Sequence, residues 1–457
     1  MKSEVRSQEA NFVTRLIYLL LSWLAIIEKW GKQSFTSNGM MILGSILFAS
    51  VIGGMETLAY QIVTFLLCIL ALSILCSRFF AFKFRATRQL PRFASVGIPL
   101  SYRVIVENQT NKPQQNLEIR EMFGNFRPTW SEFQQAAKSS PKKGLYLIHL
   151  WQQWTGLIRQ KQLFKTKFSN LPTLAPHSKT EIILTLEPLR RGKVNLHGIM
   201  ITRADPFGLF NGIKRLLLRD SCYILPKRYP VPPIALLGSR KYQSGGVSLA
   251  SSVGDSEEFM SLREYRPGDP LRKIHWKSWA KVGKPIVKEE NDEFFVRHAL
   301  ILDTFASESQ FETLEEAISI AASFACQVQT QDSLLDLMFV GTQAYCFTSG
   351  RSVGNAKEML QILASVTVCR HKNFESLTSL VMNRANLLSG CICILLDWDE
   401  PRQALAQYLE QLGLPLLLLV IGAENRFNNS DWLEKSQTRA NFHYLRLGQI
   451  AEDLLTL

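Results

Sequence analysis

Apolar positions cluster in the first eighty residues, then alternate over short stretches, then fall into strand-like runs separated by amphipathic ones. Met40 to Ser77 is 38 residues whose only charge is Glu56. As one helix it would extend about 57 Å, against a hydrocarbon core of roughly 30 Å. The run breaks at Gly53-Gly54-Met55-Glu56-Thr57, so the pattern predicts two short spans, near Met40–Ile52 and Leu58–Ser77, joined as a tight hairpin. The first is short enough to need flanking residues or local thinning of the bilayer. A buried pair of core helices is the other reading. Upstream, Leu16–Ile27 is apolar for only 12 residues, too short to cross. Leu16, Leu19, Leu20, Trp23, Ile26, Ile27 and Trp30 share one helical face, with Arg15, Tyr18, Ser22 and Lys29 on a narrower polar one. That is the pattern of an interfacial helix.

From Ala94 to Pro230 the period changes to two. Ser101–Val106, Glu181–Leu186, Val194–Ile199 and Ser221–Leu225 read as strands punctuated by Gly, Asn and Pro, and no amphipathic helix stands out among them. An antiparallel β-sandwich-like domain is expected. Phe133–Thr180 departs from this pattern: it carries eight Lys and Arg and no acid, with aromatic and apolar residues from Leu145 to Trp154. It reads either as a second lipid contact or as a loop around a small hydrophobic cluster. After Val296 strand and helix alternate. His298–Asp303, Leu334–Val340, Cys391–Asp397 and Leu416–Ile421 are near-continuous apolar runs, with helices over Phe311–Val328 and Gly354–Ser365. Strands buried on both faces between helices predict a doubly wound α/β sheet. The chain thus divides into an interfacial helix (1–37), a transmembrane hairpin (38–80), a β-rich domain (94–230, insertion 133–180), a connecting segment (255–290) and an α/β domain (291–457).

Charge sharpens the picture. The net charge of +13 is uneven: Glu290 to the C-terminus holds 11 Lys and Arg against 21 Asp and Glu, and the rest is strongly basic. Lys29 and Lys32 precede the first span, and Arg78, Lys83, Arg85, Arg88 and Arg92 follow the second, whereas the hairpin turn has no Lys or Arg. The positive-inside rule then places both termini and the soluble domains in the cytoplasm at a plasma membrane, with anionic lipid as the basic region's partner. An acidic C-terminal third is the wrong sign for nucleic acid, and no such partner is expected. The hairpin offers a surface for a second copy. The eight cysteines are scattered; Cys391 and Cys393 share one side of a strand, as core residues do.

The candidate chemistry is concentrated in Phe259–Glu290. Arg266-Pro267-Gly268-Asp269 has turn composition, and Asp269 is placed to cap a short helix over Arg272–His275. The string Arg263, Tyr265, Gly268, Asp269, Arg272, Ile274, His275, Trp276 resembles the signature of the bacterial "domain of unknown function 58" family, as do Arg190-Arg191-Gly192 and Asp205-Pro206-Phe207-Gly208-Leu209-Phe210. Trp279 stands where the family has a small hydroxyl residue. The strand ending at Asp303 resembles the first strand of a von Willebrand A-type domain, in which an Asp and two Ser surround a divalent cation. Here Asp303 and Ser307 match, and Asp397 ends a later strand, but Phe305 replaces the middle Ser. A phenyl ring supplies no oxygen to a cation such as Mg²⁺, so the resemblance implies a degenerate site and no cofactor is expected. It further implies a membrane-anchored, non-enzymatic adaptor that presents its von Willebrand A-like domain to a MoxR-type AAA+ ATPase in a chaperone-like assembly. Residues Arg263 to Trp276 would then serve as a structural or interaction network. The alternative is a metal-dependent enzyme or ligand-binding protein, its site lying between the signature and the Asp303/Asp397 edge.

Overall fold

The computed structural model describes the chain apart from residues 1, 53–56, 79–82, 125, 139–145, 233–258, 270, 272–273, 291–295, 308–309, 329–332, 351–355 and 423–440. The hairpin turn at Gly53–Glu56 and Arg272 of the signature lie outside the described residues. Two compact units make up the chain, residues 1–225 and 226–457.

The first unit begins with three helices: α1 (Lys2–Ser34), α2 (Ser37–Ile52) and α3 (Thr57–Arg78). One of them is long and apolar enough to cross a membrane, over Tyr60–Arg78; α2 is apolar but shorter. Tyr60, Phe65, Leu67 and Leu75 of α3 and Met41, Leu47 and Phe48 of α2 face outward, as apolar side chains do when their solvent is lipid.

Then come β1 (Phe84–Gln89), β2 (Phe93–Ser95), β3 (Leu100–Asn108), β4 (Leu117–Phe123), α4 (Trp130–Lys138), α5 (Tyr146–Lys161), β5 (Phe164–Thr166), β6 (Ser169–Leu171), β7 (Lys179–Pro188), β8 (Gly192–Ala204) and β9 (Asn211–Leu225). They form two sheets, ordered β1-β3-β7-β5 and β2-β9-β8-β4-β6, antiparallel except where β2 joins β9. Alternate residues point to a shared core: Val104 and Val106 of β3 and Leu184 and Leu186 of β7 meet Leu117 and Ile119 of β4 and Leu196, Ile199 and Ile201 of β8. The sandwich-like expectation holds, and β9 is three times longer than the stretch that reads as a strand.

The 133–180 stretch corrects the expectation of a helix-free middle. Helices α4 and α5 pack Phe133, Leu150 and Trp154 against Leu21 of α1. Tyr18, which sequence places on the polar face of α1, sits within this cluster, its ring centroid 5.4 Å from Trp130 and 5.8 Å from Trp154, and its hydroxyl donates to the Pro128 carbonyl. The helical period was hidden because α5 is apolar on both sides: Leu147, Ile148 and Trp151 remain exposed.

The Asp205–Phe210 string forms a foot beneath the start of α2. Asp205 accepts from the amides of Phe207, Leu209 and Phe210, and Gly208 takes a positive φ of 65°. Thr36 donates to the Gly208 carbonyl, Phe35 bridges to Phe210, and a Cβ at Gly39 would overlap the Leu209 carbonyl oxygen. Only glycine allows that approach.

The second unit comprises β10 (Phe259–Glu264), α6 (Trp276–Val282), β11 (Ile286–Glu290), β12 (Val296–Leu302), α7 (Phe311–Val328), β13 (Ser333–Val340), β14 (Ala344–Ser349), α8 (Ala356–Ser365), α9 (Glu375–Met382), β15 (Gly390–Leu395), α10 (Glu400–Gln411), β16 (Leu416–Gly422), β17 (Phe442–Arg446) and α11 (Ile450–Leu455). Six strands form one sheet in the order β14-β13-β12-β15-β16-β17. All neighbours run parallel except β13 and β14. Cys391 and Cys393 lie in the core beside β12 and β16, as their spacing predicts. The order reverses between β12 and β15, and in such sheets the crevice at the carboxyl ends of those two strands is the usual ligand position.

Candidate functional site

That crevice is where Asp303 sits, immediately after β12, and where Leu396 and Asp397 follow β15. Asp303 is fully buried. Its Oδ1 accepts from the Phe305 amide (2.9 Å), and its Oδ2 from the Leu396 amide (3.1 Å) and from Nε of Arg402 (2.6 Å). Arg402 arrives on α10, whose first turn is built by Asp399 as N-cap with Pro401 behind it. The same guanidinium donates to Asp399 (2.6 Å) and reaches the Phe305 carbonyl (3.4 Å). Its carbon lies 4.9 Å from the centre of the Phe374 ring, and Phe374 meets Phe305 edge-on at 5.7 Å. Burial pulls the Arg402 guanidinium down, but Asp303 and Asp399 outweigh that pull and hold it above its ordinary value. Burial likewise raises the Asp303 carboxyl, against the opposing effect of Arg402 and the two amides.

Thr304, beside the expected set, and Ser307 and Asp397, within it, make other bonds. Thr304 donates to the Val340 carbonyl, Ser307 is exposed and bonds Gln310, and Asp397 accepts from the Trp398 amide. Among the described residues no group of three His, Cys, Asp or Glu is placed to hold a metal ion. The donor set does not fit a divalent cation, which needs several free oxygens at once. Arg402 was missed in sequence because nothing local marks it; its partner lies 99 positions away.

The signature segment folds as a two-stranded ribbon, β10 against β11, with α6 between them. Arg263 on β10 grips Asp269 with two parallel bonds, 2.7 and 2.8 Å, and Asp269 also accepts the Arg266 amide. Gly268 holds φ at 109° in the turn. These bonds hold the Asp269 carboxyl down at about 2, with Arg263 the main cause. The helix over Arg272–His275 that Asp269 was expected to cap lies partly outside the described residues; α6 begins at Trp276, with His275 at its N-cap position. Asp269 shapes the turn, paired with Arg263. His275 belongs to a different contact: its amide donates to the Ile286 carbonyl, and Nδ1 lies 2.6 Å from the Ser278 hydroxyl. Tyr265 is half-buried, and its amide closes the ribbon onto the Pro285 carbonyl. Trp276 is 65% exposed and stacks on Trp279, ring centres 5.2 Å apart. Leu271 and Val282 are exposed as well. The Trp279 departure from a small hydroxyl residue thus supplies a half-buried ring that stacks on the exposed Trp276, and the hydroxyl beside His275 comes from Ser278.

In the first unit, Arg120 on β4, Met200 on β8 and Arg215 on β9 stand opposite one another across the outer face of the sheet. Partial burial lowers the Lys29 ammonium of α1, helped by the guanidiniums of Arg127, Arg215 and Arg120. Arg120 is itself lowered by burial and lies over the Phe168 ring at 5.0 Å. Leu16, Leu20, Trp23 and Ile27 of α1 and Trp151 of α5 are exposed.

Residues 261–392 match the family described as "Protein of unknown function DUF58". The chain is also similar to the uncharacterized protein YeaD of Bacillus subtilis (strain 168), 25% identical over 195 residues, which is 41% of this chain and 47% of YeaD. The chain therefore spans about half the length of that relative. Among solved structures it is similar to Salmonella alpha-2-macroglobulin (16% identity, 32% of this chain, 7% of that one, TM-score 0.16). It is likewise similar to a CARDB domain from Pyrococcus furiosus in complex with di-metal ions (12% identity, 32% of this chain, 91% of that one, TM-score 0.17). Likenesses at these scores say nothing of fold or function here.

Proposed function

We propose, on the premise that this chain belongs to the DUF58 family, that it is a membrane-anchored, non-enzymatic adaptor. In this reading α2 and α3 anchor it as a hairpin in a bacterial plasma membrane, with the termini and both soluble units in the cytoplasm. The basic flanks after Arg78 support that orientation, and Lys29, Arg120 and Arg215 beside the exposed face of α1 support contact with anionic headgroups. The von Willebrand A-like second unit is presented to a protein partner, which the family resemblance suggests is a MoxR-type AAA+ ATPase. Its excess of acidic residues favours a partner with a basic surface.

The observation that carries the reading is a division of labour in the second unit. The aspartates of the signature and of the edge are each held by an arginine, whereas several apolar side chains of the signature segment are exposed. Asp269 is taken by Arg263 and Asp303 by Arg402, while Leu271, Trp276 and Val282 are exposed and the half-buried Trp279 stacks on Trp276. Protein interfaces favour such Trp-rich patches. The enzyme reading needs Asp269, His275 and Asp303 directed into one cleft, and each is bonded to a different neighbour.

The test is co-purification from native membranes of the detergent-extracted chain and of a Trp276→Ser/Trp279→Ser variant. A MoxR-type ATPase that follows the wild type and is lost with the folded variant is the expected result. A folded wild type that retains no ATPase overturns the reading.

A further inference from the structure

We infer that the Arg402 guanidinium is the resident cation of the sheet-edge site, so that the edge keeps its shape without a divalent metal. The inference stands apart from the adaptor reading, because it concerns what holds Asp303 and not what docks outside.

Three features converge on it. The first is position: Arg402 enters from the helix after β15 and meets Asp303 at the point where the strand order reverses, the crevice a doubly wound sheet keeps for ligands. The second is charge. Two carboxylates, Asp303 and Asp399, converge on one guanidinium at 2.6 Å each, and the Phe305 carbonyl faces its remaining nitrogen. This is a ring of oxygen acceptors around a cation, with the cation supplied by the chain. A planar guanidinium is more weakly hydrated than an ammonium and carries its donors in a fixed fork, so it suits a buried seat of this kind. The third is the coupled change at Phe305. Where a metal site would place a hydroxyl, the phenyl ring packs edge-on against Phe374, and Phe374 in turn lies beneath the guanidinium. The aromatic pair replaces an oxygen ligand with a platform that favours an organic cation. A metal ion and Arg402 cannot share the site, because Nε already occupies the bonding distance of Asp303 Oδ2.

The experiment uses the full chain in detergent, with Mn²⁺ as the probe. Binding is read by the electron paramagnetic resonance of free Mn²⁺ and by the thermal unfolding midpoint. For the wild type the expected result is no saturable binding that depends on Asp303 and no midpoint shift; Mn²⁺ binding abolished by Asp303→Asn overturns the inference. The double variant Arg402→Gln/Phe305→Ser removes the resident charge and restores a hydroxyl. It is expected to melt lower than the wild type and to regain stability on addition of Mn²⁺. A folded double variant that ignores Mn²⁺ overturns the claim that Arg402 fills a cation's place. Should the double variant fail to fold, Arg402→Lys decides by the same readouts: it is expected to remain folded and indifferent to Mn²⁺, and Mn²⁺ binding in it counts against the inference.

Discussion

The sheet edge and the signature ribbon each contain an arginine gripping an aspartate, and the two pairs do different work. At the edge, Arg402 and Asp303 are buried, the carboxylate accepts from two backbone amides and the guanidinium, and an aromatic ring backs the guanidinium. In the ribbon, Arg263 and Asp269 are partly exposed, with side chains 34% and 17% accessible, and their bonds shape a turn. Depth makes the difference. An ion pair near water contributes little, because water screens it and solvates either partner when the other is lost. A buried charge that loses its partner has no such refuge. The edge pair therefore maintains the fold, and the ribbon pair shapes a local turn.

Removing one member of each pair tests that contrast. Asp303→Ala strands the Arg402 charge against one remaining carboxylate and is expected to cost about 3–5 kcal/mol, read from chemical unfolding of the second unit. A loss below about 1 kcal/mol would mean that water reaches the crevice.

A third pair, buried in the sandwich of the first unit, sharpens the comparison. Tyr102 donates to Glu121 (2.8 Å), and Arg88 lies 3.4 Å from the same oxygen. Unlike Asp303, Glu121 has a second oxygen that makes no hydrogen bond among the described residues. Burial raises its carboxyl to about 7, more than Arg88 and Tyr102 lower it. Between the ordinary carboxylate value of 4.5 and about 7, the folded chain keeps a proton that the unfolded chain has lost. The stability of this unit should therefore fall as pH rises through that window and level off above it, by on the order of 3 kcal/mol. Glu121→Gln should remove that slope, measured as unfolding midpoint against pH; an unchanged slope would place its origin elsewhere.

Smaller effects are expected in the ribbon. Asp269→Ala should leave the unfolding midpoint of the second unit near the wild-type value while speeding amide exchange at Arg266, whose N–H it accepts. A midpoint loss as large as that of Asp303→Ala would show that the ribbon is part of the folding core. The smallest change in stability belongs to Trp276→Ser, within about 0.5 kcal/mol, because the ring is exposed before and after. Its effect should appear in partner capture alone.

Much of the architecture was legible because periodicity is a local property. Continuous apolar runs marked β12, β13, β15 and β16, and α7 ends at the two residues its pattern predicts. The alternation in β3, β7 and β8 marked the sandwich for the same reason: one face of each strand is buried. Helix α5 escaped because its outer face is as apolar as its inner one, so no amphipathic contrast remained to read.

By itself the sequence determined the order of elements, the apolar segment that forms α3, the turn at Gly268, the acidic character of the chain's end and the loss of an oxygen ligand at Phe305. These depend on side-chain type and near neighbours, which a linear string records. Only the tertiary structure decided that Asp303 meets the Arg402 guanidinium, that Trp276 and Trp279 stack on each other, and that the Asp205–Phe210 turn seats the foot of α2. Each joins groups distant in sequence or sets their exposure. Such contacts follow from strand order and helix packing, which bring Arg402 to the end of β12 across 99 positions of chain.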